Sequence, residues 1–162
     1  MVLELLSIQC PKRKHILLMQ LSASSLWVVH YVFLGALTGA LMSSVSAVRT
    51  YAFYKMPIKR RPRWSLWFFL ALTIVVGAFS WQGYISLLPV AGILIAVIAM
   101  WQTKERHIRL ILLAASPLWL TYNLLVGSYV GVINEVLLIA SLIIALWRYR
   151  KKSIRGVRLL VD

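Results

Sequence analysis

Six apolar runs of roughly 16–19 residues divide this chain, each close to the length with which an α-helix crosses a bilayer. They cover about 16–33, 36–54, 66–81, 85–101, 110–126 and 130–147. In lipid every backbone donor and acceptor must be satisfied within the segment, and a helix does that. Composition agrees, since 61% of the 162 residues are hydrophobic and the mean hydropathy is +0.82. Soluble domains hold about 45–50% apolar residues. The predicted fold class is therefore an all-α membrane protein with six transmembrane helices.

A net charge of +14 would point to nucleic acid in a soluble protein. Here the placement of the charge excludes that partner. Seventeen of the 18 Lys and Arg residues fall in four clusters, 12–14, 55–63, 104–109 and 148–158. With six spans, all four lie on one side, and the opposite turns near Gly35, Gly83 and Gly127 carry no charge. Basic loops stay cytosolic, so the C-terminus is predicted to be cytosolic. The same clusters are suited to anionic lipid. The remaining cation, Arg49, sits inside the second run and is expected to snorkel to the interface, the alternative being a buried functional arginine. A single cysteine, Cys10, allows no internal disulfide.

The runs also repeat. Residues 12–39 and 104–131 share 11 of 28 positions in a register of 92, among them Lys12 with Lys104, His15 with His107, Trp27 with Trp119, Gly35 with Gly127 and Gly39 with Gly131. The runs at 85–101, 110–126 and 130–147 form one three-helix unit. In the same register the first unit holds its second and third helices and only a stub of its first, interrupted by Glu4. The run at 66–81 has no counterpart. The predicted organisation is a first repeat at 1–54 with its N-terminal helix truncated, a basic linker and linker helix at 55–84, a second repeat at 85–147, and a basic tail at 148–162 that is interfacial or disordered after its first turn. An odd linker helix makes the two repeats parallel. An upstream start or a neighbouring subunit of a homo-oligomer would complete the truncated helix.

Four groups of residues carry a family resemblance: Val29-His30-Tyr31 with Leu34-Gly35, Ala47-Val48-Arg49-Thr50, Leu87-Leu88-Pro89-Val90 with Gly92, and Asn123 with Gly127-Ser128, Gly131 and Glu135. Over nearly its whole length the chain resembles the YgjV-type bacterial inner-membrane proteins. That resemblance implies a multi-pass protein of the bacterial inner membrane. Tyr122 stands where the family pattern has His, and the family's opening span is missing. The architecture is similar, more distantly, to the SWEET and PQ-loop transporters.

Candidate functional residues cluster in the repeated segments. Glu135 is the one acid inside a full-length run, where it must be solvated, paired or protonated. It shares a helical face with Gly131, which turns it inward, and it suits proton coupling or a hydrogen bond to His30 or Asn123. Trp27 and Tyr31 are four apart, as are Trp119 and Asn123, with His30 and Tyr122 at one further equivalent position. An aromatic plate beside a hydrogen-bonding group suits a sugar, a nucleoside or another flat polar solute; plain packing and cross-helix hydrogen bonds are the alternative. Asn134, beside Glu135, completes the candidate binding set. Gly39, Ser43, Ser46 and Thr50 share one face that can pack closely or line a polar path. Pro89 and Pro117 are candidate kinks. No phosphate loop, dinucleotide glycine pattern, nucleophile elbow or metal-ligand spacing occurs, so no enzyme activity, cofactor or metal is expected.

Two functions follow as expectations: a facilitator or proton-coupled transporter of a small polar solute through a site between the repeats, or a non-transporting scaffold whose polar residues hold helices together. Reporter fusions test the orientation. Fusions after Gly83 and Gly127 should report the periplasm and those after Arg61 and Lys152 the cytosol; a cytosolic reading at Gly127 would overturn the charge argument.

Overall fold

The computed structural model describes residues 2–56 and 62–158, with side chains through Tyr149. Most of the basic linker at 57–61 and the last residues of the tail, 159–162, lie outside the described residues. Seven α-helices make up the described chain: α1 (Val2–Gln9), α2 (Arg13–Phe33), α3 (Leu37–Lys55), α4 (Trp64–Phe79), α5 (Leu87–Trp101), α6 (Glu105–Leu125) and α7 (Tyr129–Arg158). A single 3-10 turn, Tyr84–Ser86, leads into α5. α7 runs on from the last apolar run into the basic tail, as far as Arg158.

Four segments are long and apolar enough to cross a membrane: Arg13–Phe33, Tyr84–Trp101, Glu105–Leu125 and Tyr129–Tyr149. The other two predicted spans fall short for different reasons. α3 has 19 residues but carries Arg49 and a row of hydroxyls, whereas α4 is apolar but only 16 residues long. Large apolar side chains cover the outside, with Phe33 and Phe79 each 87% exposed. Exposure on that scale suits a lipid surface.

The register of 92 recurs in the backbone. Added to the bounds of α2 it gives those of α6, and added to α1 it gives the last eight residues of α5. α2 and α6 end in the same cap. The Ala36 amide donates to the Tyr31 carbonyl at 3.0 Å, and the Ser128 amide donates to the Asn123 carbonyl at 2.8 Å. Gly35 and Gly127 sit one residue earlier, at φ +70° and +71°. This is the six-to-one bond of a Schellman motif, which needs a left-handed residue at that position.

Neighbouring elements close a ring in the order α1, α2, α3, α5, α6, α7 and back to α1, with α4 outside against α3 and α5. α4 presents Ser65, Phe69, Thr73 and Gly77 inward, one residue every four. A Cβ on Gly77 would fall 2.6 Å from Val90, so the glycine sets how closely α4 approaches α5. The largest apolar cluster joins Leu17, Met42, Phe53, Phe69, Val97 and Ile108 across five helices.

Two cations assigned to the basic clusters turn inward instead. Arg13 is 8% exposed and Arg109 is 2% exposed. Arg13 donates to the carbonyls of Met100 at 2.8 Å and Gln102 at 3.1 Å, at the end of α5. Arg109 donates to the carbonyls of Ile8 at 3.0 Å and Cys10 at 2.9 Å, at the end of α1. Ile8 and Met100 are equivalent in the register, as are Cys10 and Gln102. Arg13 of α2 therefore closes the end of α5 and Arg109 of α6 closes the end of α1, where orphan carbonyls and the helix dipole favour positive charge. Tyr149 donates to the intervening Gln9 carbonyl at 2.8 Å.

Pro89 lies in the first turn of α5, where no intrahelical donor is lost, so it does not kink the helix. Pro117 lies inside α6.

Gly127→Ala should destabilise the protein by about 1–2 kcal/mol, the cost of forcing an L-residue into the left-handed region. Space around Gly35 and Gly127 is open, so the effect is backbone strain alone and should be similar at both sites. Thermal unfolding in detergent reads it. An unchanged midpoint for both variants would contradict the cap geometry.

Candidate functional site

Apolar helices seldom bury ionisable groups without a use for them. Three converge here on one cavity of about 80 Å³ at the centre of the ring. Its polar lining comes from Glu4 of α1, Gln20 and Ser24 of α2, Ser43, Ser46 and Arg49 of α3, Ser116 of α6 and Glu135 of α7. A water needs about 10–15 Å³ measured in this way, so the cavity admits a solute of several heavy atoms.

Arg49 does not snorkel. It is 2% exposed, and its Nη2 donates to Ser46 Oγ at 2.8 Å and Thr50 Oγ1 at 3.3 Å. Its Nε and Nη1 have no hydrogen-bond partner among the described residues. The small face of α3 is thus partly a polar lining: Ser43 and Ser46 border the cavity, and Thr50 holds the guanidinium.

Glu135 is 6% exposed and borders the cavity, on the inward face it shares with Gly131. Neither His30 nor Asn123 bonds it, because both are engaged elsewhere. Ser116 and Asn134 are its polar neighbours, and its Oε2 lacks a partner among the described residues. Glu4 stands on the neighbouring helix, where its Oε2 accepts from Trp27 Nε1 at 2.9 Å and Asn134 Nδ2 at 3.0 Å.

The eight candidate residues separate into three groups. Trp27, Tyr31, Trp119 and Glu135 border the cavity. Asn134 supports Glu4 from behind. His30, Tyr122 and Asn123 hold helices together. Tyr31 stacks on Trp27 at 5.6 Å and on Trp119 at 6.1 Å, forming a continuous aromatic wall. Gly92 makes room for the Trp119 indole, whose Nε1 would lie 2.7 Å from a Cβ there.

The holding contacts obey the register. Tyr31 and Asn123 are equivalent positions, and the Tyr31 hydroxyl donates to Asn123 Oδ1 at 2.8 Å. Tyr122 Oη accepts from the Gly39 amide at 3.0 Å. Its equivalent, His30, is shorter and reaches Ser128 Oγ at 2.9 Å; that hydroxyl accepts from the Gly131 amide at 3.2 Å. One glycine amide is reached directly, and the equivalent one through a serine.

Glu4, Gln20, Ser24 and Ser116 were not among the sequence candidates, and Arg49 was one only in the alternative to snorkelling. Glu4 and Arg49 each gave a signal, an ionisable residue interrupting an apolar run. The serines and Gln20 gave none, since such residues are as common in packing as in cavities. Among the described residues no three His, Cys, Asp or Glu side chains group as metal ligands.

A ring of apolar helices around a charged cavity defines a polytopic α-helical membrane protein. The family model Imp-YgjV, a bacterial inner membrane protein family, matches residues 1–153, and the chain belongs to that family. The inner membrane protein YgjV of Escherichia coli (strain K12) is 29% identical over 129 residues, covering 78% of this chain and 68% of that protein. No solved structure matches the chain.

Tyr31→Phe and Asn123→Leu should each destabilise the protein, and the double variant should lose less than their sum. Double-mutant cycles for hydrogen bonds between membrane helices average about 0.6 kcal/mol and reach about 1.7. Strict additivity in unfolding measurements would show that the two side chains do not interact.

Proposed function

We propose that this protein is a non-catalytic facilitator that moves a small polar solute across the bacterial inner membrane through the central cavity. In this reading α2 to α7 all cross the bilayer. Two three-helix units, α1–α3 and α5–α7, run parallel, α4 links them, and all basic segments face the cytosol. Local thinning of the bilayer accommodates the short α4, and α3 crosses because its polar residues point into the protein. The paired helix bounds, the matched caps and the exchanged arginines support two equivalent units.

The observation that carries the function is the convergence of Arg49, Glu4 and Glu135 on one cavity inside apolar helices. Such groups cost less when a solute, a proton or water meets them, and they are unfavourable as bare packing. Glu135, with one unpartnered oxygen, is the candidate proton carrier. Trp27, Tyr31 and Trp119 form the apolar wall for the solute.

The scaffold reading has its own support: His30, Tyr122 and Asn123 are all engaged between or within helices. Uptake into proteoliposomes distinguishes the two. A facilitator should show saturable uptake of a small polar solute. Trp119→Ala should raise the half-saturation concentration several-fold, and Glu135→Gln should flatten the pH dependence of the rate. Absence of saturable uptake across a broad panel of polar metabolites would favour the scaffold.

A further inference from the structure

The charges of the cavity are sorted. Arg49 stands on α3, which packs against α2 and α5. Glu4 and Glu135 stand on α1 and α7, which pack against each other. In the ring, α2 separates the two groups on one side, and α5 with α6 separates them on the other. The cavity therefore has a basic wall and an acidic wall.

The two walls do not neutralise each other. Nη2 of Arg49 is taken by Ser46 and Thr50, while Nε and Nη1 have no partner among the described residues. Oε2 of Glu135 is likewise without a partner among them. Leaving one charge of a buried pair uncompensated is strongly destabilising. A free anion would answer Arg49 and leave the acids unmet, and a free cation would do the reverse. A solute bearing both signs meets both walls and brings no net charge into the membrane.

We propose that the cavity binds a small zwitterion, its carboxylate on Arg49 and its ammonium group against Glu135 and Glu4. The class is that of small amino acids and their N-methylated betaines. The aromatic wall meets the acidic wall at Trp27, whose Nε1 donates to Glu4 and whose ring borders the cavity. Ammonium groups, methylated ones included, are attracted to such ring faces. This rests on the reading of the cavity as a solute site, and it adds the chemical class.

Binding to the purified full-length protein tests it, read by intrinsic tryptophan fluorescence and by calorimetry. The probes are glycine and glycine betaine as zwitterions, acetate as the anion, choline as the cation and glycerol as a neutral polyol. At least one zwitterion should bind saturably and more tightly than acetate, choline or glycerol by about tenfold or more, a difference of about 1.4 kcal/mol. Arg49→Gln should remove that preference and Arg49→Lys should restore part of it. Glu135→Gln should weaken zwitterion binding without weakening acetate. If Arg49→Gln does not elute as a folded species, the Lys and Gln variants at 49 and 135 that do fold decide through the same probe ranking. Acetate or choline binding as tightly as the zwitterions would overturn the proposal, as would zwitterion binding indifferent to every variant. Saturable glycerol binding with none for zwitterions would overturn it while leaving a solute site in place. No binding of either zwitterion also overturns it.

Discussion

Lipid tails are as apolar as leucine side chains, so helices in a membrane gain little by hiding apolar surface from one another. What holds them is close approach, hydrogen bonds and charge in a medium without competing water. The structure follows that constraint at both ends of the ring. At the uncharged end, Tyr31 meets Asn123 and Tyr122 meets Gly39, with glycines clearing the space. At the charged end, Arg13 and Arg109 close the ends of α5 and α1. The interior between these ends is free to be polar, and it is.

Much of this was legible in the sequence because membrane helices are written in long runs and glycine marks the turns between them. Four of the spans, the turns at Gly35 and Gly127 and the register of 92 are all properties of order along the chain. The inward face of Glu135 was legible as well, through its spacing from Gly131. Rotation of one helix against another was not. Arg49 is one and a half turns from the end of its run, a distance its side chain can bridge outward, and only the packing of α3 decides that it points inward. The same holds for Arg13 and Arg109, which composition counts with their exposed neighbours. His30 and Asn123 looked like partners for Glu135 because the register brings them near, but the shorter reach of His30 commits it to Ser128.

The cavity shows how equivalent positions diverge under one backbone. Ser43 and Glu135 occupy the same place in the register, as do Gln20 and Leu112, and all four border the cavity. The caps of α2 and α6 match, whereas the side chains give one wall of the cavity an arginine and the other two carboxylates. Positions 92 apart in the chain thus differ in charge, and that difference gives the cavity polarity with a direction.

Arg13 and Arg109 tie helices that are far apart in the chain. Each guanidinium holds two carbonyls of a helix distant in the chain by charge-assisted bonds worth about 1.5–3 kcal/mol apiece, and parting those helices would leave the carbonyls without these partners. The tyrosine contacts at the far end are neutral and individually weaker, about 0.6 kcal/mol on average. Strength is therefore graded along the bundle axis. Opening the bundle would thus cost less at the end capped by Gly35 and Gly127 than at the end that carries the arginines.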